Sequence, residues 1–280
     1  MHQVPTPRRL QFGRELRRLR ERAGVTRDQV AELLDSDLSK VSRIETGRQG
    51  ISVAEVKLLL GLFRIEDQAE VDRIIDLARE ARKRQEAIPV PPYLRAYVSL
   101  EAEAVEIKLF QIDLIPGLLQ TEAYTRAIAH AYDPTQARTE VDQLVTIRRD
   151  RQARLIGDNP PALWIVLHEA AVRAEVGGAD VMREQLARVL ELAELPSVTV
   201  QLIPFKGGAH AAMGYVFSIL RLPEPEGHRV VYLEDLWSAD YLDKPKQVSA
   251  YSVLFDRLCT SALDERGTRT AIERVRRELS

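Results

Sequence analysis

The chain has 280 residues, of which 45% are hydrophobic and 29% charged. The apolar fraction excludes a wholly disordered protein, and the single cysteine, Cys259, excludes a disulfide scaffold. The net charge of −2, taken over the whole chain, counts against a nucleic-acid binder.

A proline cluster predicts where one domain ends and the next begins. Residues 89–92 hold three prolines, which cannot continue a helix and favour an extended chain. We therefore expect one domain at residues 1–88 and a second at residues 89–280. The first holds 18 Lys and Arg against 15 Asp and Glu, and the second holds 22 against 27. A basic front end and an acidic body predict that nucleic-acid contact is confined to the first domain.

The hydropathy pattern predicts a cytoplasmic protein without a membrane span. No run approaches the roughly 18 apolar residues that a membrane helix requires. Residues 1–9 lack the apolar segment of a signal peptide, and a lone cysteine fits a reducing compartment.

Helical periodicity predicts five short helices in the first domain. They are expected at residues 8–22, after residue 26, from residue 36 to 46, after residue 52, and from residue 67 to 84. Thr26, Ser36 and Ser52 are the expected N-caps, and Asp35 is expected to form a turn.

The second and third of these helices resemble a known DNA-binding motif. Residues 26–34 read TRDQVAELL and residues 39–48 read SKVSRIETGR. They resemble the Cro/C1-type helix-turn-helix family, also called the xenobiotic-response-element family, with Ala31 as the small residue between the two helices. Asp35 stands where that family has glycine, and aspartate tolerates the left-handed backbone better than most residues. The resemblance implies an all-α bundle that binds double-stranded DNA through its third helix.

The resemblance assigns DNA contacts to individual residues. Base contacts are expected from the solvent-facing positions of the third helix, which are Leu38, Ser39, Lys40 and Arg43. Phosphate contacts are expected from Arg27, Ser36 and Arg48. The alternative is that these side chains are ordinary solvated residues of a small bundle.

Glu45 is expected to form a structural ion pair with Arg20. The pair resembles one that joins the first and third helices in the family. Because removing one partner of a poorly solvated pair is strongly destabilising, the pair is expected to support stability as well as DNA binding.

The second domain is predicted to be α+β, with a roughly four-stranded sheet and packed helices. Strands are expected at residues 163–167, 198–203, 216–220 and 230–233. Helices are expected at residues 100–110, 121–131, 139–156, 180–195, 246–263 and 268–279.

Several blocks of the second domain resemble the WhiJ-like regulators of actinobacteria. The blocks are AEAVEI at residues 102–107, IPGLLQTE at 115–122, VTVQLIPF at 198–205, GAH at 208–210 and VYLE at 231–234. That family joins a Cro/C1-type front end to an α+β domain of unknown function. The resemblance implies a developmental or antibiotic-linked transcription factor. For many members it also implies a small partner protein encoded nearby, in an arrangement like a toxin–antitoxin pair.

The sequence predicts no enzyme, no metal site and no cofactor. His168-Glu169 begins like a zinc-protease motif, but Val172 stands where the second histidine is required. Gly207-Gly208 lacks the lysine of a phosphate-binding loop.

Two alternatives stay open for how the second domain acts. A ligand-responsive factor needs a mostly apolar pocket, for which the candidates are Trp164, Phe205, His210, Tyr215, Tyr232 and Trp237, unless these side chains are simply core. A small acidic partner protein would dock instead on a basic helix face formed by Arg148, Arg151 and Arg154, which is otherwise a solvated surface or a further DNA contact.

The sequence as a whole predicts a DNA-binding transcriptional regulator that represses as a homodimer. Two recognition helices would enter major grooves about one helical turn apart. One helix buries too little surface for tight specific binding, so a dimer is expected.

Overall fold

The computed structural model of the chain describes residues 7–82, 92–223, 228–235 and 239–279. The chain separates into two compact units, Met1–Leu100 and Glu101–Ser280. The boundary predicted near residue 88 falls within residues 83–91, which lie outside the described ranges. No helix in the described ranges is long and apolar enough to cross a membrane.

The first unit contains the five predicted helices. They are α1 (Pro7–Arg22), α2 (Arg27–Leu33), α3 (Leu38–Glu45), α4 (Val53–Leu62) and α5 (Gln68–Arg82). A further helix, α6 (Pro92–Glu103), contains the division between the two units. Arg84, the predicted end of the fifth helix, lies outside the described residues.

Apolar side chains at helical spacing form the core of the first unit. From α1 to α5 the core includes Phe12, Leu16, Leu19, Val30, Val41, Ile44, Leu59, Leu60 and Ile74. Residues three or four apart share one helix face, so each short helix directs a single apolar stripe inward. The cap of α4 is the predicted one: Glu55 N donates to Ser52 Oγ at 3.1 Å, and Ser52 N donates to Glu55 Oε2 at 2.8 Å.

The second unit is α+β, as predicted. Its strands are β1 (Glu106–Gln111), β2 (Ala162–His168), β3 (Val198–Ile203), β4 (Phe217–Arg221), β5 (Arg229–Glu234) and β6 (Ala239–Leu242). Its helices after α6 are α7 (Glu122–Tyr132), α8 (Arg138–Ala153), α9 (Glu169–Arg173), α10 (Ala179–Leu192), α11 (Pro245–Ser261) and α12 (Glu265–Glu278). Short 3-10 turns lie at Gly117–Leu119, Arg154–Ile156 and Phe205–Gly207.

The sheet has six strands rather than four, in the order β3-β2-β1-β4-β5-β6. The helix predicted at residues 100–110 is wrong: α6 ends at Glu103, and Glu106–Gln111 forms β1 near the centre of the sheet. There β1 pairs in parallel with β2 and antiparallel with β4. The sixth strand, β6, pairs antiparallel with β5.

The order of the strands requires one connection that passes the ends of two other strands. The chain leaves β3, an edge strand, and re-enters the sheet as β4 on the far side of β1. Because β4 starts at Phe217, opposite Phe110 near the end of β1, residues 204–216 pass the carboxyl ends of β2 and β1. We call residues 204–216 the crossing segment.

One face of the sheet packs against α11. Phe110, Val166 and Phe217 form a buried cluster with Phe255 of that helix. Cys259 packs at the border of this cluster, and burial raises the pKa of its thiol to about 11. A thiol with such a pKa stays protonated at neutral pH, in keeping with a packing role.

Candidate nucleic-acid interface

The start of α2 is fixed by the predicted capping box. Gln29 N donates to Thr26 Oγ1 at 3.3 Å, and Thr26 N donates to Gln29 Oε1 at 2.9 Å. The two hydrogen bonds satisfy the backbone N–H groups of Thr26 and Gln29, which have no partner within the helix, and so they fix the residue at which α2 begins.

The turn between α2 and α3 uses two aspartates. Asp35 has a φ of 44°, in the left-handed region that the family's glycine would occupy. Asp37, and not Ser36, caps α3, since Lys40 N donates to Asp37 Oδ1 at 2.6 Å. The predicted Ser36 cap is therefore wrong by one residue. Ser36 Oγ instead donates to the Ala31 carbonyl oxygen at 3.5 Å, so the hydroxyl predicted to contact phosphate is turned towards α2.

Glu45 joins three helices through two arginines. The expected pair is present, with Arg20 Nε donating to Glu45 Oε1 at 2.6 Å. Arg27 Nε also donates to Glu45, at 2.9 Å from Oε2. Arg27, predicted to contact phosphate, is thus partly used inside the protein, although 41% of its side chain is exposed. The carboxylate holds the start of α2 and the end of α3 in fixed relation to α1.

The outer face of α3 carries the residues expected to read bases. Leu38, Ser39 and Arg43 are exposed, whereas Val41, Ile44 and Glu45 are buried on the opposite face. Arg48, expected on phosphate, is exposed directly after Gly47.

Two of the predicted DNA contacts have protein partners that the sequence did not suggest. Arg43 Nε donates to Gln49 Oε1 at 2.9 Å, and Lys40 Nζ lies 3.1 Å from Glu55 Oε1. Hydrogen bonds from the Ser52 backbone and hydroxyl lower the pKa of Glu55, so its charge is retained beside Lys40. Lys40 is half-buried, which makes it less available to DNA than Arg43.

Glycines let α1 lie directly against the end of α3. A Cβ at Gly13 would overlap the Ile44 carbonyl oxygen and come within 2.7 Å of the Glu45 carbonyl oxygen. Gly47 has a φ of 70°, and a Cβ there would lie 2.8 Å from Leu10 N. The close packing at Gly13 could not be predicted from the sequence, because a glycine inside a helical pattern gives no local signal of a packing role.

Comparisons with known families agree with this geometry. A helix-turn-helix domain model matches residues 11–74, the part of the chain that holds the capped turn and α3. The model of a domain of unknown function, DUF5753, matches residues 94–274, more than half of the chain. The chain belongs to the DUF5753 family. No curated protein and no solved structure matches it. The first unit is thus a helix-turn-helix DNA-binding domain, joined to a DUF5753 domain.

The aromatic residues predicted to line one pocket of the DUF5753 domain lie in separate places. Trp164 is on β2, where its Nε1 donates to Gln201 Oε1 at 2.9 Å. Tyr232 is buried on β5 and donates to Glu234 Oε2 at 2.8 Å. Phe205, His210 and Tyr215 share the crossing segment. Trp237 lies outside the described residues.

The basic helix face predicted to dock a partner is largely internal to the DUF5753 domain. Arg151 forms a two-fold ion pair with buried Glu101, with Nε–Oε1 and Nη2–Oε2 distances of 2.6 and 2.7 Å. Arg154 donates to the backbone carbonyl oxygens of Glu101 and Ala104. The expected solvent-facing stripe is corrected by this geometry: these arginines bind α8 to the end of α6.

Arg148, the third member of this set, also has its partners within the DUF5753 domain. Its Nη1 donates to Gln120 Oε1 and, at 3.4 Å, to Thr125 Oγ1. Burial, and after it the charge of Arg151, lowers the pKa of Arg148 to about 10. It remains a cation at neutral pH, held by neutral oxygens rather than by a carboxylate of its own.

The DUF5753 domain shows no ready metal site. Within the described ranges, no group of three or more His, Cys, Asp or Glu residues is placed to hold a metal ion. His168 and His210 do lie close together, with ring centroids 5.7 Å apart. Sequence reasoning placed His210 in a pocket but treated His168 only as a failed protease motif.

Proposed function

We propose that the chain is a sequence-specific transcriptional repressor of the Cro/C1 type, which binds operator DNA as a homodimer. One observation carries the proposal: α3 exposes Leu38, Ser39 and Arg43 directly after a capped turn, while its opposite face is buried. A helix that presents its amino-terminal outer face in this way fits the major groove.

The charge of the chain supports the same proposal. Residues 1–48 hold 11 Lys and Arg against 7 Asp and Glu, in a chain whose remaining residues are net acidic. Exposed Arg48 and half-exposed Arg27 add positive charge near α3. Basic side chains at these points neutralise phosphates and fix the register in which α3 meets the bases.

A dimer follows from the small size of one reading helix. A single module of this kind buries less surface than tight specific complexes require, so two half-sites are needed. The half-sites are expected about one helical turn, or a multiple of it, apart. Sedimentation of the full chain, free and on its operator, tests this part, and a monomer under both conditions would contradict it.

The DNA-binding proposal is tested with an operator found by genomic footprinting of the purified chain. Affinity is expected to fall steeply with rising salt. Arg43→Ala is expected to relax the preference for the operator over random DNA, and Arg48→Ala to weaken both alike. Arg79→Ala, an exposed arginine on α5, is the matched control. An unchanged preference in Arg43→Ala would show that α3 does not read the bases through this residue.

Control by the second unit remains part of the proposal, in two versions. The WhiJ-like resemblance supports a small acidic partner protein, although the arginines expected to dock it are paired internally. The alternative is a ligand-responsive factor, which the histidine pair at the crossing segment supports. We propose no catalytic activity for this unit. Co-purification of a partner protein would favour the first version, and direct ligand binding the second.

A further inference from the structure

The carboxyl ends of the parallel strands carry a pair of adjacent histidines. His168 ends β2, and the crossing segment brings His210 to it, with ring centroids 5.7 Å apart. The His210 ring also lies 5.5 Å from the ring of Phe110, near the end of β1. In sheets with parallel strands, ligands bind outside the carboxyl ends of the strands. The pair therefore lies where the topology of the sheet favours a binding site.

Backbone hydrogen bonds fix the protonation pattern of both rings. Ala170 N donates to His168 Nδ1 and Ala212 N donates to His210 Nδ1, each at 3.3 Å. A ring whose Nδ1 accepts a hydrogen bond carries its proton on Nε2 in the neutral form. Within the described residues neither Nε2 atom has a hydrogen-bond partner, and neither is fully buried. The pair thus presents two N–H donors to solvent.

The surroundings of the pair favour a negatively charged ligand. Glu169, the adjacent carboxylate, already accepts from Arg173 Nε at 2.6 Å and from Phe205 N at 2.8 Å. The crossing segment contains Lys206, which is exposed, and no Asp or Glu. Burial, and then the neighbouring His168, lowers the pKa of His210, which favours the neutral form of that ring. Two donors and one cation remain to be satisfied by an acceptor from outside.

The crossing segment also exposes apolar side chains, one of which lies against His168. Phe205, Met213 and Tyr215 are 53%, 60% and 63% exposed. The Phe205 ring meets the His168 ring edge-on, with centroids 5.1 Å apart. The exposed Phe205 ring thus offers an apolar surface directly beside the His168 ring.

We propose that this surface binds a small carboxylate that has an apolar body. The carboxylate oxygens accept from His168 and His210 Nε2–H, and the apolar body packs on Phe205. Gly208 and Gly214, with φ of 68° and 81°, let the crossing segment bend around the ligand. The inference names a ligand class for the ligand-responsive version of the proposed function and rests on that version, but not on DNA binding.

The same hydrogen bonds argue against a metal ion at the pair. A metal bound by Nε2 needs the unprotonated nitrogen there, which places the ring proton on Nδ1. That proton would face Ala170 N–H and Ala212 N–H, two donors pointing at the same atom. The geometry therefore selects an acceptor and not a cation.

The test measures binding to the full chain without DNA. Benzoate and octanoate are titrated as aromatic and aliphatic probes, with benzamide and octanamide as uncharged counterparts. Binding is followed by calorimetry and by the histidine ring signals in NMR spectra. At least one carboxylate is expected to bind and to shift the signals of His168 and His210, and its amide to bind roughly tenfold or more weakly.

Matched variants assign the binding to the two rings. His168→Gln and His210→Gln are each expected to weaken carboxylate binding roughly tenfold or more, because each removes one donor to a charged group. His130→Gln, an exposed histidine on α7, is the control and is expected to bind like the parent chain. Because His168 caps α9, unfolding of each variant is followed by tryptophan fluorescence, and Phe205→Ser supplies a further variant that leaves both rings intact.

Three outcomes would overturn the inference. They are the absence of binding by both carboxylates at millimolar concentration, equal binding by parent and histidine variants, and tight binding of added Zn²⁺ that is lost in those variants. All three are read without operator DNA, so they leave the proposal for α3 untouched. Arg43→Ala, conversely, is expected to relax the preference for the operator and to leave carboxylate binding unchanged.

Discussion

Glu45→Ala tests whether one buried carboxylate holds the first unit together. Glu45 is 4% exposed and Arg20 is 8% exposed. Without Glu45, Arg20 keeps a bond to the Val25 carbonyl oxygen and a 3.5 Å contact with exposed Glu21. Removing one partner of a buried pair costs roughly 3–5 kcal/mol. Since small domains are stable by about 5–15 kcal/mol, this loss is a large share of the total.

The positions of the tryptophans allow the loss to be assigned to one unit. Trp164 and Trp237 both lie in the second unit, so tryptophan fluorescence follows only that unit during unfolding in urea. Far-UV circular dichroism follows the helices of both. With a urea slope of about 1–3 kcal/mol/M, Glu45→Ala is expected to move the dichroism transition of the first unit down by roughly 1–5 M. The fluorescence transition is expected to stay where it is.

A matched control and a double variant make the result decisive. Glu32→Ala removes an exposed glutamate of α2 and is expected to change stability by less than about 0.5 kcal/mol. In the Arg20→Ala background, Glu45→Ala is expected to cost much less, because the uncompensated cation is gone. If Glu45→Ala moved the transition no further than Glu32→Ala does, the role of Glu45 in holding α1, α2 and α3 together would be refuted.

Three further changes test other contacts. Gly13→Ala places a Cβ against the Ile44 carbonyl oxygen and is expected to destabilise the first unit by about 1–3 kcal/mol. The control, Gly61→Ala, has open space around it and is expected to stabilise the unit by about 0.5–1 kcal/mol. Equal effects of the two substitutions would contradict the close approach of α1 and α3. Glu101→Gln removes the charge that pairs with Arg151 and is expected to lower the stability of the second unit by roughly 3–5 kcal/mol, seen by fluorescence; an unmoved midpoint would contradict it. Burial raises the pKa of Glu15, but hydrogen bonds from Arg18 and Arg73 outweigh it and leave the pKa below its usual value. That stabilisation is present above about pH 4.5 and is lost as the pH falls towards the folded pKa, so Glu15→Gln is expected to flatten the acid decline of the dichroism midpoint. A decline as steep as in the parent chain would count against this role.

The helices of the first unit could be predicted because their signals are local. Thr26 with Gln29 and Ser52 with Glu55 are capping pairs three residues apart, and the apolar stripes recur within single helices. The cap of α3 was misplaced because Ser36 and Asp37 are equally good caps by type. Only the position where the helical backbone begins distinguishes them.

The central strand was missed because its pattern fits two structures. Residues 106–111 read EIKLFQ: Ile107 and Leu109 are buried between half-buried Glu106 and Lys108, and buried Phe110 then interrupts the alternation. So short an alternation does not distinguish a strand from the continuation of the preceding helix. Only its partners β2 and β4, 50 or more residues away in the chain, make it a strand.

The arginines of α8 show a second limit of sequence reasoning. A face of basic residues reads as solvated because most arginines are exposed. Here Glu101 lies 50 residues before Arg151, and Gln120 lies 28 residues before Arg148. No local sequence pattern indicates either partner. The position of the crossing segment could not be predicted for the same reason, since its place at the strand ends depends on the order of all the strands in the sheet.

The division of α3 into an inner and an outer face bears on how such a protein diverges. Val41, Ile44 and Glu45 hold the fold from one side, while Leu38 and Ser39 stand free of the core on the other. Substitutions on the outer side are therefore expected to leave the bundle intact, so this surface can change during evolution without loss of the fold. Changes at Glu45 have no such freedom, because they loosen three helices at once.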